Sequence, residues 1–410
     1  MTATAARTRA RRDLVVVLIA YVSFVVLGLA DGALGVAWPS MRVTFGVPLD
    51  ALGVLLFATS AAFLATSFSS GPIAARLGMG SMLAVASVLR MVALFGFAAA
   101  PTWWGMVLAA AVYGSGTGLL DSGMNTHFAT RYSARLMNWL HASFGLGATI
   151  GPLVMAAVLS NDLAWRWGYV FIAGAQTLVA VLIIATLDNW RNDDAGDGST
   201  AFGAPASTRR ATMLETLRMP YVWANILLFL LYAGTEVTAG QWSYSLFTES
   251  RGIDIAVAGF WVSVYWGTFT VGRLFYGFIA DRVNSVKAVR FSMVVAVLAA
   301  LLLWWNITDL IGFLGLAVMG FAAAPIFPLL TSTTPQRVGP RHTANVIGYQ
   351  VGAANLGIAI LPGLAGVLAA RLSLEIIGPF LVIASLAMLI LYELILHSER
   401  REDVRRETED

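Results

Sequence analysis

Cysteine is absent from this 410-residue chain, which excludes disulfides and thiolate metal sites. Charge is scarce: Asp, Glu, Lys and Arg make up 12% of the residues, against about 25% in an ordinary soluble chain. No phosphate-binding glycine loop, metal-ligand cluster or soluble catalytic domain can be read from it. These absences argue against an enzyme and against a chain that works by ATP hydrolysis, and no cofactor or metal is expected. What fills the space is apolar: 58% of the residues are hydrophobic.

Twelve continuous apolar runs are long enough to cross a bilayer as helices, which takes about 20 residues. They lie near 14–38, 51–70, 80–100, 103–128, 138–159, 167–187, 221–247, 256–279, 288–305, 309–331, 344–369 and 375–396. The runs do not alternate apolar with polar, so membrane strands are not expected. The first run is too long for a signal-peptide core and is read as a retained helix. With the N-terminus inside, twenty basic residues fall in cytoplasmic segments and four (Arg42, Arg166, Arg251, Arg371) in outer loops. This positive-inside bias predicts a multi-pass protein of the cell membrane with both termini cytoplasmic. The basic charge then serves topology and lipid head groups, and no nucleic-acid partner is expected.

The chain repeats itself at its midpoint. Gly71, Ala74 and Arg76 recur as Gly277, Ala280 and Arg282, and Arg131 and Arg135 as Arg337 and Arg341, all 206 positions later. Asp31 with Gly35 recurs as Glu236 with Gly240 at 205 positions. The expected organisation is an all-α membrane protein of two six-helix repeats, at 1–187 and 220–397, joined by a cytoplasmic linker at 188–219 and followed by a tail at 398–410. The linker is rich in Gly, Ser, Ala, Asp and Pro, as flexible connections are. Its segment ATMLETLRM suits a short surface helix, and the charged tail is expected to fray. Two like-oriented repeats around a midplane site are a pattern of secondary transporters.

Ionisable residues inside membrane helices are functional candidates by default. Asp121 lies in GSGTGLLDSGMN, where Gly114, Gly118 and Gly123 permit close helix approach. Asn125, four residues on, shares its face. An acid beside an amide can hold a proton and a polar ligand together; the alternative is a structural acid bonded to a neighbouring helix. Asp31 and Glu236, at repeat-equivalent places, are the other proton-coupling candidates. Arg90 falls mid-helix and is expected to pair with an acid, Asp31 or Asp121. Arg273 lies about two turns from Asp281 and is expected to snorkel to the interface. Asn138 and His141 share a face, and His127 is expected at the interface. Trp139, Trp242, Tyr265, Trp266, Phe327 and Tyr349 are aromatic candidates for a cavity, since such rings stack on the apolar face of a sugar. The solute-contact set is Asn125, Asn138, His141, Gln241, Trp242, Tyr265, Phe327, Gln350 and Asn355.

On these residues the whole chain resembles the major facilitator superfamily. GFIADR at 277–282 matches that family's loop motif, while Ala75 replaces the acid in the first-half copy. The resemblance implies two bundles around an alternately opening cavity, lined by helices 1, 4, 7 and 10. It implies a cytoplasmic gate drawn from Arg76, Asp281, Arg282, Arg131, Arg135, Arg337 and Arg341. Within the superfamily the chain looks most like the fucose–galactose–glucose proton symporters, through Asp31, GLLDSGMN, RLMNWLHASFG and YAGTEVTAGQWSY. In fucose members an acid in helix 1 and another in helix 4 mediate proton coupling, and Asp31 and Asp121 occupy those places. Asn138 and His141 fall where sugar-contacting amides stand, His141 as a substitution.

The favoured expectation is a proton-coupled symporter, acting as a monomer, for a neutral sugar or sugar-like solute. The alternative is a proton-coupled drug or metabolite exporter. GLGATIGP at 145–152 resembles in part a helix 5 motif of antiporters, but the basic residue that drug antiporters place in helix 4 is missing.

Overall fold

The computed structural model describes residues 3–190, 211–279 and 282–409. Within hydrocarbon every backbone N–H and C=O must find a partner inside the segment, so apolar runs of this length become helices. In chain order these are α1 (Ala3–Phe45), α2 (Leu52–Leu77), α3 (Met79–Ala99), α4 (Trp103–Arg131), α5 (Ala134–Ser160), α6 (Trp165–Ala185), α7 (Met213–Leu217), α8 (Pro220–Ser245), α9 (Ile255–Ile279), α10 (Ser285–Trp305), α11 (Asp309–Ala323), α12 (Ile326–Arg371) and α13 (Ile377–Glu409). Side-chain caps start several of them. Thr102, Asn284 and Thr308 each accept from a backbone N–H three residues on, at the heads of α4, α10 and α11.

Ten stretches among the described residues are long and apolar enough to cross a membrane. One runs for 63 residues, Asp309–Arg371, which as a single rod would reach roughly 95 Å. It holds two passes. Gln350 Nε2 donates to Thr334 Oγ1 at 2.9 Å, although sixteen residues of straight helix would separate them by about 24 Å. The reversal is at Gly339, whose φ of 73° and ψ of 162° suit a residue without Cβ. Gly78, which turns α2 into α3, has nearly the same backbone, φ 80° and ψ 153°. The helix missing from the ten is α4, whose glycines and polar residues lower its hydropathy. It lies along α2 and α3 all the same: a Cβ on Gly114 would come within 2.1 Å of Thr59 O, and one on Gly116 within 2.7 Å of Ala86 O. With α4 and the divided stretch, the described residues supply the twelve spans expected.

The chain forms two compact units, one built on α1–α6 with residues 252–267, the other on α7, α8 and α10–α13 with the remainder of α9. Each pairs its first and fifth spans through a glycine. A Cβ on Gly147 of α5 would sit 1.9 Å from Val25 O of α1, and one on Gly357 of α12 would sit 2.1 Å from Leu230 O of α8. The repeat seen in the sequence is thus a repeat of packing.

The short helix expected within the linker is α7, held by a reciprocal capping box between Thr212 and Glu215. Residues 191–210, most of the expected linker, lie outside the described residues. The tail does not fray at 398: α13 runs on to Glu409.

Candidate functional site

In the first unit the chemistry gathers on one face of α4, where Tyr113, Thr117, Asp121 and Asn125 recur every fourth residue and so stack above one another. Tyr113 OH donates to Asp31 Oδ1 of α1 at 2.9 Å. Asn125 is hydrogen-bonded to Asp121, and its own Oδ1 is buried with no partner among the described residues. Asp31, Asp121 and Asn125 are all half-buried.

Arg90 of α3 joins this face from behind and is fully buried. Its Nη1 donates to Thr117 Oγ1 at 2.6 Å and its Nε to Gln176 Oε1 at 3.3 Å. Gln176 of α6 is held in turn by donating to Ser87 O at 3.2 Å. The guanidinium lies 4.6 Å above the Tyr113 ring. A mid-membrane arginine costs about 2.5–3.5 kcal/mol on insertion scales. Hydrogen bonds made by a charged group return about 1.5–3 kcal/mol each, so Thr117 and Gln176 offset part of that cost, while Arg90 Nη2 stays buried with no hydrogen-bond partner among the described residues. Arg90 was expected to pair with Asp31 or Asp121. Its bonded partners are instead neutral, and the acids meet it only through space, with Tyr113 between it and Asp31.

The second unit carries a parallel arrangement at Glu236 of α8. Glu236 is hydrogen-bonded to Tyr232 one turn earlier and feels the charge of Arg273 on α9. Arg273, expected to snorkel, is half-buried, with its Nε buried and its guanidinium 4.3 Å over the Phe269 ring. Each repeat therefore sets its acid beside one tyrosine and one arginine.

The amide and aromatic candidates divide. Asn138 is exposed; His141, Phe327 and Asn355 are half-buried. His141 meets the Phe24 ring edge-on at 5.9 Å, and Phe327 packs on Phe229 at 5.1 Å. Asn355 donates to Val351 O of its own helix at 3.1 Å. Trp242, Tyr265, Gln241 and Gln350 are enclosed. Trp242 Nε1 donates to Pro362 O at 2.9 Å, and Gln350 Nε2 donates to Thr334 Oγ1 and, at 3.4 Å, to Asn225 Oδ1. In this conformation Trp242 and Gln350 join helices, in place of the open solute contacts expected of them. His127, expected at the interface, is also enclosed, its ring tilted against that of Trp190 at 5.4 Å.

Of the expected gate residues, Arg341 Nη2 pairs with Glu215 Oε1 at 3.0 Å, which ties α7 to α12. The Thr212 N–H, and after it the Arg341 charge, hold the Glu215 carboxyl below the usual carboxylate range. Arg337 donates to Tyr221 OH at 3.4 Å and lies 3.5 Å from Glu399. Arg76, Arg135 and Arg282 are exposed and Arg131 is half-buried. Asp281 lies outside the described residues.

Sequence reasoning named Asp31, Asp121, Asn125 and Arg90 but missed Tyr113, Thr117 and Gln176. The four-residue spacing along α4 was the available signal for the first two. Gln176 had none, since only the fold brings α6 to α3.

Known proteins resemble this chain along most of its length. Bypass of stop codon protein 6 of Saccharomyces cerevisiae is 24% identical over 398 residues, covering 88% of this chain and 78% of that protein. The glucose/mannose transporter GlcP of Bacillus subtilis is 22% identical, covering 85% and 86%. The human sodium-dependent glucose transporter 1 is 22% identical, covering 95% and 81%. Among solved structures, the nucleoside transporter NupG (D323A mutant) superposes with a TM-score of 0.76 at 14% identity, covering 92% of this chain and 98% of that one. A bacterial homolog of the human lysosomal transporter Spinster gives 0.72 at 15%, covering 95% and 98%; these two likenesses concern the fold. The sequence profile of the Major Facilitator Superfamily matches residues 20–349 and 225–410. With its two packing repeats and that match across both, the chain belongs to the Major Facilitator Superfamily and is a multi-pass secondary transporter, not an enzyme.

Proposed function

We propose that this transporter is a proton-coupled symporter for a neutral, hydroxyl-rich solute of about monosaccharide size, in the group that includes the fucose–galactose–glucose symporters. The observation that carries the reading is the α4 face: a half-buried acid, Asp121, hydrogen-bonded to an amide whose oxygen has no partner among the described residues. Such a pair takes up a proton and offers an acceptor to a hydroxyl in the same place. An anion would call for an arginine fork, and Arg90 is enclosed with two of its donors committed to Thr117 and Gln176. The relatives named as glucose transporters support the solute class. Asp31 and Asp121 act as the coupling pair of the first unit, and Glu236 is its counterpart in the second. Asn125, Asn138, His141, Gln241, Phe327 and Asn355 contact the solute. The protein works as a monomer in the cell membrane by alternating access, with both termini in the cytoplasm.

The test is uptake of D-glucose and related sugars into proteoliposomes, driven separately by a proton and by a sodium gradient, alongside a thermal-shift screen. A ligand stabilises what it binds by mass action. Sugars should raise the melting temperature, and an inward proton gradient should drive their accumulation. Asp121→Asn should abolish accumulation while leaving counterflow measurable. Accumulation driven by sodium alone would replace the proton. Stabilisation by hydrophobic cations or organic anions only, with no competition from sugars, would replace symport with export.

A further inference from the structure

The first unit holds two acids and one arginine inside the membrane, and their bonding is unequal. The groups facing Arg90 on α3 come from two helices packed on it and one beyond: Tyr113, Thr117 and Asp121 from α4, Gln176 from α6 and Asp31 from α1, with Tyr169 of α6 facing Asp31. The acceptors bonded to Arg90 are neutral. They take up its Nε and Nη1 and leave its charge, and its Nη2 is buried with no hydrogen-bond partner among the described residues. A buried unit charge without an opposite one nearby is expensive, so the cluster is most stable with one carboxylate beside Arg90.

Geometry selects which acid supplies it. Asp31 accepts the Tyr113 hydroxyl at 2.9 Å, and the same tyrosine lies under the guanidinium at 4.6 Å. Arg90 is the opposite charge that acts on Asp31 against the cost of its burial. Asp121 lies one turn beyond Thr117 on α4 and is hydrogen-bonded to the neutral amide of Asn125. One guanidinium neutralises one carboxylate, so the second acid can be accommodated without net charge only by binding a proton.

We propose that Arg90, acting through Tyr113, is a positioning residue that keeps Asp31 ionised as its permanent counter-charge, leaving Asp121 as the single exchanging acid of this unit. The first unit therefore carries one proton per cycle. The neutral state is Arg90 charged, Asp31 charged and Asp121 protonated; release of the proton from Asp121 leaves one net negative charge. Charge balance also fixes what happens without the arginine: both acids then need protons to reach neutrality. The proposal rests on the coupling reading above and divides the work of its pair: Asp121 exchanges the proton and Asp31 carries the balancing charge.

The experiment is infrared difference spectroscopy of the purified full chain in lipid, following the protonated-carboxyl band during pH titration with no solute present. The wild type should show one titrating carboxyl from this cluster, lost in Asp121→Asn. Arg90→Gln should about double the protonated-carboxyl signal at neutral pH, and Arg90→Lys should keep it at the wild-type level. An arginine needed only for folding would not give that restoration by charge. An Arg90→Gln signal equal to wild type, or a titrating band that survives Asp121→Asn intact, overturns the proposal. Where Arg90→Gln yields no folded protein, Tyr113→Phe carries the test. It keeps the ring under the guanidinium, removes the hydrogen bond to Asp31 and should also increase the band; an unchanged band overturns the proposal. The coupling reading fails by a different result, D-glucose uptake in the wild type that ignores the proton gradient, whatever the spectra show.

Discussion

Trp242 separates a helix clamp from a solute contact. Its indole is fully buried, and its N–H donates to Pro362 O across the α8–α12 crossing at 2.9 Å. Near that crossing a Cβ on Gly234 would lie 2.7 Å from Leu361 Cβ, so there is little room for a smaller ring to be compensated by closer approach. Trp242→Phe removes the donor and part of the ring. Losing a buried hydrogen bond costs about 1–3 kcal/mol, and the carbonyl keeps a second lone pair, which places this case toward the low end. The lost ring volume adds a comparable amount, for about 2 kcal/mol in all; truncation to alanine should cost about 3–5 kcal/mol. For a unit of this size about 2 kcal/mol corresponds to a fall of roughly 4–8 °C in melting temperature. Thermal unfolding in lipid nanodiscs, measured with and without the best-stabilising sugar, is the assay. The expected result is a lower melting temperature with an unchanged stabilisation by sugar. A melting temperature equal to wild type together with a tenfold or greater loss of sugar affinity would refute the reasoning and return Trp242 to the solute site.

Two further outcomes follow from packing and from charge. Gly147→Ala and Gly357→Ala place a Cβ against backbone oxygens of the facing helix and should each cost about 1–3 kcal/mol. Gly348→Ala meets nothing within 4 Å and should be neutral or stabilising by up to about 1 kcal/mol; equal melting shifts for all three would contradict the crossing geometry. Because the Glu215 carboxyl is held below its usual range in the docked state, its contribution is present above the ordinary carboxylate value and lost as pH falls through the lowered one. Hydrogen-exchange protection across 211–217, taken relative to the intrinsic rate at each pH, should therefore fall once pH drops below the ordinary carboxylate range, and Glu215→Gln should show the reduced protection already at neutral pH.

The spans and the repeat were legible because burial in lipid imposes a length and a composition that survive without knowledge of neighbours. Asp31, Asp121 and Glu236 were legible for the same reason, as charges in the wrong solvent. What a buried side chain turns toward was not. Arg273 has a stem long enough to serve several partners, and only the helix arrangement brings its charge to bear on Glu236. Trp242 reads identically in sequence whether its N–H meets a sugar or the carbonyl of Pro362. Gln176 is 86 positions from Arg90, and no local pattern connects them. Tyr113 and Thr117 lie between these cases, since their spacing to Asp121 was visible and their partners were not.

The low hydropathy of α4 bears on how the protein is made. A helix that falls short of the composition of its neighbours, carrying Tyr113, Thr117, Asp121 and Asn125 along one face, is a poor substrate for a translocon that sorts segments by their free energy of entry into lipid. The helix synthesised just before it, α3, carries Arg90, which is equally unwelcome alone. Only two residues, 100–102 less the cap, separate the end of α3 from the capped start of α4. The two polar liabilities face each other through the 2.6 Å bond from Arg90 to Thr117, so they are best relieved by entering the bilayer together as one hairpin. Mutations that spoil this contact should then show first as chains with inverted or incomplete topology during biosynthesis, before any assay of transport is reached.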